Sequence, residues 1–151
     1  PLLGLGTAGL RGALCVHIAL EFLRAGGRHI DTAVMYGNHW EIGEALVESQ
    51  VPRAEVFLTT KLNPNDGGFD YANATRIVES ALREARTDYF DLVLLHFPQP
   101  KDATDLDWQW YRGEAWRALT DLRSNGRLRF AGVSNFAVSH IEPLLRSPLR
   151  V

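Results

Sequence analysis

Polar residues close successive apolar runs of this 151-residue sequence: Asp31 after "RHI", Lys61 after "VFLTT", His96 after "LVLL", and the pair Ser134-Asn135 after "FAGV". Tyr36 stands five residues beyond Asp31. A carboxylate, a phenol, an ammonium and an imidazole that meet at one place can deliver a proton to a carbonyl that is being reduced. A phenol, with an ordinary pKa of about 10, donates poorly at neutral pH unless a cation beside it favours the phenolate. Lys61 is the candidate cation. Asp31 is the carboxylate that neutralises and fixes it, because an unpaired buried charge is costly. His96 would hydrogen-bond the substrate oxygen or pass protons. Such a quartet supplies acid and orientation but no electrons, so a hydride donor is implied, a nicotinamide cofactor first of all. Each residue alone has an ordinary reading as a helix cap, a snorkelling lysine, a core imidazole or turn chemistry. Their joint position at strand ends carries the argument.

A second constellation competes with the first. Gly4-Leu5-Gly6-Thr7-Ala8-Gly9 fits G-x-G-x-x-G, follows an apolar stretch and precedes a helical pattern, and Asp31 lies 22 residues after Gly9. In a dinucleotide-binding unit those glycines admit a pyrophosphate to a helix N-terminus, and the acid holds the ribose hydroxyls. That pattern explains nothing after Asp31, and a glycine-rich strand end accounts for it as well.

The elements that position these residues alternate in kind. Candidate strands are "LLGLG" (2–6), "RHIDTA" (28–33), "VFLTTKL" (56–62), "DLVLLHF" (91–97) and "RFAGVSN" (129–135). Helical periodicity fills 11–25, 40–50, 72–86 and 114–124, with Asn38 as a cap for the second helix. A short fifth helix is predicted to start at Ser139, with Glu142 completing a capping box. Near-continuous apolar strands joined by helices, with no hairpin signal, predict an α/β fold with a parallel sheet. Two architectures satisfy this: an open doubly wound sheet, or part of a (β/α)₈ barrel, whose C-terminal strand ends share one catalytic rim. A complete barrel takes about 250 residues, so five βα units would be a segment of one. The sequence opens on Pro1 inside an apolar run, so residues upstream are expected.

Composition narrows the classes. The chain is 46% hydrophobic and 23% charged, ordinary for a folded domain, and no linker or repeat divides residues 1–151. Sixteen basic against eighteen acidic residues give a formal charge of −2, which offers no field to gather nucleic acid or an anionic membrane. Cys15 is the only cysteine, so neither an internal disulfide nor a thiolate metal cage is available. A reducing, cytoplasmic setting and no metal are the expectation. No apolar run approaches the roughly 18 residues of a membrane span, and no signal peptide is visible.

The quartet sits in segments that resemble one family. "LRAGGRHIDTAVMYGNHWEIGEAL" closely resembles the aldo-keto reductase signature around its catalytic aspartate and tyrosine. "VFLTTKL" is similar to that family's lysine strand, "DYFDLVLLHFPQP" to its histidine strand, and "GRLRFAGVSNF" to its fifth strand. The opening "GLGT" is typical of the family's first strand, and the resemblance runs from Pro1 to about Leu145. It implies a (β/α)₈ barrel and NADPH-dependent reduction of aldehydes or ketones to alcohols. It implies Tyr36 as general acid, Lys61 paired with Asp31 beside it, and His96 orienting the carbonyl oxygen. Ser134 and Asn135 would hold the nicotinamide carboxamide, with Gly6 and Thr7 close to the cofactor.

The resemblance also marks departures. His39 stands where the family usually has Glu, and is expected to be a solvated loop residue. Phe97 replaces a common Trp and is expected to pack at the pocket or rim. The family's sixth to eighth strands, which stack the nicotinamide and grip the phosphates, have no counterpart here, so the chain is expected to be a piece of a longer reductase, inactive alone.

Trp40, Trp108, Trp110 and Tyr111 are placed in βα loops at the catalytic rim. Within the family such aromatics shape the carbonyl pocket, so Trp40, Trp108 and Trp110 are candidate pocket residues for a small, aromatic or apolar carbonyl substrate; packing under a long loop is the other reading. Segment 98–113, with Lys101, Asp102, Asp105 and Asp107, reads as a long charged loop. Two rival functions remain: a non-catalytic barrel relative acting as a binding or regulatory subunit, and an NAD-binding doubly wound domain. Oligomeric state and the natural substrate are not legible.

Overall fold

The computed structural model describes residues 1–65, 69–101 and 103–146, and of 105–107 the backbone alone. Five strands, β1 (Leu5–Gly6), β2 (His29–Asp31), β3 (Phe57–Leu62), β4 (Phe90–Leu95) and β5 (Leu128–Val133), alternate with five helices. These are α1 (Gly12–Arg24), α2 (His39–Ser49), α3 (Tyr71–Glu84), α4 (Asp105–Ser124) and α5 (Val138–Arg146). Every pairing is parallel, and the strand order is β1-β2-β3-β4-β5. Each strand lies beside its predecessor with no reversal of order. A doubly wound sheet requires that reversal, so this architecture and the dinucleotide reading of Gly4–Gly9 both fall. The sequential order is that of a barrel segment.

Register then does the positioning. Gly6 lies opposite Asp31, and Asp31 opposite Thr59. Side chains two apart on a strand share a face, so Lys61 stands on the same face as Thr59, one step further toward the C-terminal rim. The opposite face is sealed by helices. Leu58 and Leu62 of β3 and Val93 and Leu95 of β4 are buried there. Against them pack Ala19 and Leu23 of α1, Ala74, Val78 and Ala81 of α3, and Ala115 and Leu119 of α4.

Alanines and one glycine let the helices come close. Gly43, in the middle of α2, faces the end of α3: a Cβ there would stand 2.7 Å from the Glu84 carbonyl oxygen and 2.8 Å from the Ala85 carbonyl carbon. No side chain fits that gap. Where α3 begins, Asp70 caps the helix by accepting from the Asn73 N–H at 3.0 Å.

At the N-terminal ends of the strands, Asp91 is buried and accepts from Arg53 (2.9 Å), Arg129 (3.1 Å) and the Leu58 N–H (2.9 Å). One carboxylate thereby ties β3, β4 and β5 at their base.

Several boundaries depart from the expectation. The first two strands are shorter than read, because the ladder between them consists only of Leu5↔Ile30 and Gly6↔Asp31. Helix α4 begins at Asp105, nine residues before the predicted 114, so most of 98–113 is helix and not loop. Asp102 and the side chains of Asp105 and Asp107 lie outside the described residues. Helix α5 starts at Val138 without the predicted capping box: His140 Nδ1 accepts the Ala137 N–H at 3.0 Å, and Glu142 pairs with Arg146. His39, expected in solvent, is 2% exposed on α2, with its Nε2 2.8 Å from Thr60 Oγ1. Among the described residues no helix is long and apolar enough to cross a membrane.

Candidate active site

Lys61 is the penultimate residue of β3 and is 7% exposed. Its ammonium donates to the Asp31 carboxylate and, at 3.0 Å, to the Thr32 carbonyl. Two acceptors on the strand-end segment 31–32 therefore fix one nitrogen in place. The same nitrogen lies 5.1 Å from the centre of the Tyr36 ring, close enough for a cation to act on a phenol through a partly buried medium. Tyr36 closes a 3₁₀ turn, Val34–Tyr36, which Gly37 ends in the left-handed conformation at φ 60°. That backbone suits glycine and turns the chain at once into α2.

His96 follows β4 directly. Its N–H donates to the Leu62 carbonyl (2.7 Å), and its own carbonyl accepts from Asn135 Nδ2 (2.7 Å). The imidazole meets the edge of Tyr36 with centroids 5.9 Å apart and stacks on Phe97 at 4.5 Å and 20°. Burial, and then the Lys61 charge, push this imidazole below its ordinary range, with Asp31 acting in the opposite sense. His96 is therefore neutral at pH 7 and carries one ring proton. Nδ1 is sealed from solvent without a hydrogen-bond partner among the described residues. An orphaned N–H is costlier to bury than an orphaned lone pair, which puts the proton on Nε2. Asp31, Tyr36, Lys61 and His96 thus converge on one rim.

The remaining predicted residues divide into those that adjoin the quartet and those that do not. Ser134 donates its N–H to the Leu95 carbonyl at 2.8 Å, and Asn135, at φ 61°, sends Nδ2 also to Ser134 Oγ at 3.0 Å. Both stand beside His96. Thr7 is fully buried, with its N–H and hydroxyl both given to the Asp31 carbonyl (3.0 and 3.1 Å). Gly6 is open: a Cβ there would meet nothing within 4 Å.

None of the three predicted pocket tryptophans is in a loop. Trp40 is on α2, stacked against the Arg86 guanidinium at 4.5 Å. Arg86 leads into the N-terminal end of β4, the end remote from His96, so Trp40 points away from the quartet. Trp108 and Trp110 are on the first turns of α4, in an aromatic group with Phe69 and Tyr111. Two positioning groups were not foreseen: the Thr32 carbonyl, a backbone atom that leaves no mark on sequence, and the Asn38 side chain. Among the described residues no group of three His, Cys, Asp or Glu could hold a metal.

A family model described as Aldo/keto reductase family matches residues 3–150. The chain belongs to the aldo/keto reductase family. An aldo-keto reductase of Mycolicibacterium vanbaalenii is 37% identical over 145 residues, covering 96% of this chain and 49% of the relative. The aldehyde reductase YPR1 of Saccharomyces cerevisiae is 34% identical over 167 residues, covering 98% and 52%. Among solved structures, the aldo/keto reductase from Brucella melitensis superposes with a TM-score of 0.87 at 38% identity, covering 97% of this chain and 54% of that one. The chain spans about half the length of the aldo/keto reductases it matches. Its five βα units correspond to part of the family's (β/α)₈ barrel.

Proposed function

We propose that this chain carries the proton-donating part of an NADPH-dependent carbonyl reductase that converts aldehydes or ketones to alcohols. The supporting observation is the Lys61 ammonium, held by Asp31 and the Thr32 carbonyl 5.1 Å from the Tyr36 ring, with neutral His96 against that ring's edge. Membership of the family agrees with it, as does the printed name of the yeast relative, an aldehyde reductase.

The residues present fit a nicotinamide carboxamide. Asn135 spends its N–H donors on His96 and Ser134, which leaves Oδ1 as an acceptor, while the Ser134 hydroxyl keeps its proton to give. A carboxamide needs one acceptor for its NH₂ and one donor for its oxygen. The open face of Gly6 leaves room for a cofactor to approach β1, and buried Thr7 supports that strand end. When bound, the reduced nicotinamide supplies a hydride to the carbonyl carbon. His96 Nε2–H orients the carbonyl oxygen, and Tyr36 donates the proton that the forming alkoxide takes up. The phenolate left on Tyr36 is stabilised by the Lys61 ammonium, and Asp31 keeps that ammonium from swinging away. Trp108 and Trp110 remain candidates for the pocket of an aromatic or apolar substrate.

Tyr36→Phe in a chain completed to eight βα units tests this. Turnover is expected to fall about 10²- to 10⁴-fold with cofactor binding intact, and an unchanged kcat sinks the mechanism. The isolated chain is expected neither to bind NADPH tightly nor to turn over; a micromolar titration with catalysis would overturn that.

A further inference from the structure

Asn38 stands at the predicted N-cap of α2, but the structure gives its side chain another task. It makes no capping hydrogen bond and is fully buried. Oδ1 accepts from Thr32 Oγ1 at 2.5 Å, and Nδ2 donates to the carbonyls of Thr7 (3.0 Å) and Leu10 (3.1 Å). One amide therefore clamps two separate rim segments. The first, at Thr32, supplies the carbonyl that holds Lys61. The second, the loop 7–10, is bonded through Thr7 to the Asp31 carbonyl. The amide belongs to a third segment, two residues after Tyr36 and separated from it only by Gly37.

We propose that Asn38 is a positioning residue whose amide sets where the Tyr36 phenol stands relative to Lys61 and His96, locking the turn 34–37 against the Lys61 site and the loop after β1. This rests on the reading of Tyr36 as proton donor only for its catalytic meaning; the clamp itself is geometry. An amide is the side chain that suits the place. It meets a hydroxyl donor on one side and two carbonyl acceptors on the other, a demand that neither a carboxylate nor an alkyl group meets. A carboxylate would turn lone pairs on the Thr7 and Leu10 carbonyls, and the buried repulsion would push the turn outward. The helix that follows does not depend on the side chain, because Asn38 contributes its backbone carbonyl to α2 through Ile42 N–H at 3.1 Å.

The test is nuclear Overhauser contacts in the isotope-labelled chain completed to eight βα units, comparing wild type with Asn38→Asp, Thr32→Val and Thr32→Ser. Contacts from the Tyr36 ring to the His96 ring and to the Lys61 side chain are expected in wild type and in Thr32→Ser, which keeps the hydroxyl. They are expected to be lost in Asn38→Asp and weakened in Thr32→Val, while contacts among α1, α3 and β3 persist. Tyr36 contacts at wild-type intensity in Asn38→Asp overturn the proposal. Should that variant not fold, Thr32→Val against Thr32→Ser decides it: equal contacts in the two overturn it, and rescue by serine supports it. The readout needs no turnover, so a failure of the reductase mechanism in the Tyr36→Phe assay is distinguishable from a failure of the clamp.

Discussion

Each end of this sheet sets a carboxylate against positive charge, and the two clusters are built to different ends. At the base, Asp91 is 2% exposed and its oxygens are taken by Arg53, Arg129 and the Leu58 N–H. Arg53 is satisfied in turn by the carbonyls of Val56 and Tyr89, and lies over the Tyr89 ring at 4.2 Å. Both carboxylate oxygens are taken, and of these groups only Arg129 reaches well into solvent, at 56% exposed. At the rim, the Asp31 side chain is 35% exposed, and neither His96 Nε2 nor the Tyr36 hydroxyl makes a hydrogen bond among the described residues. The same pairing of charges holds strands together when every valence closes inward. Left partly open beside a phenol and a neutral imidazole, it retains capacity to act on something else.

Breaking the closed cluster gives the largest expected stability effect. Asp91→Ala leaves the mostly buried Arg53 guanidinium without its counter-charge and the Leu58 N–H without its acceptor, and should cost about 3–5 kcal/mol in urea unfolding of the chain; a loss under about 1 kcal/mol would mean the base is mere surface pairing. Next comes His39, between the two ends on α2, which burial holds down to about 4 against an ordinary 6.5. As pH falls from about 6.5 to about 4, the unfolded chain takes up a proton that the folded chain refuses, and stability drops by on the order of 3 kcal/mol. Urea midpoints across that range should lose this component in His39→Gln, and an identical profile would refute it. The smallest effect belongs to the open cluster. The double variant Asp31→Leu/Lys61→Met removes both charges together and leaves only the Thr32 carbonyl without its donor. It should unfold within about 1 kcal/mol of wild type. A large loss would show that the rim pair holds the fold as the base does.

How much of this was legible followed from the range of the signal. The strands β3 and β4 were read nearly to the residue, because buried parallel strands are written as unbroken apolar runs. The rim quartet was legible because each member sits at or just beyond a strand end, a position that register converts into proximity. Helix α4 was read short: Asp105–Tyr111 carries tryptophans and acids in no clean 3.6 period, and Gly113 interrupts it. The side-chain partners of His39 and Asn38 were not legible for a common reason, although Asn38 does stand at the predicted N-cap of α2. Their partners, Thr60 on β3 and the carbonyls of Thr7 and Leu10, are distant in sequence. Periodicity within α2 cannot report a bond to another strand. Trp40 was assigned by its neighbours in sequence, whereas its indole lies with Arg86 at the far end of the next unit.

Gly43 carries a consequence for anyone seeking to stabilise this chain. A glycine in mid-helix is the first position a table of helix propensities would nominate for alanine, with about 1 kcal/mol of gain promised. Here the added methyl would press on the backbone of Glu84 and Ala85, which is not a flexible side chain and cannot swing aside. The substitution would prise two helices apart and disturb the turn into β4, the strand that leads into His96, so the most inviting site for engineering is one that should be left alone.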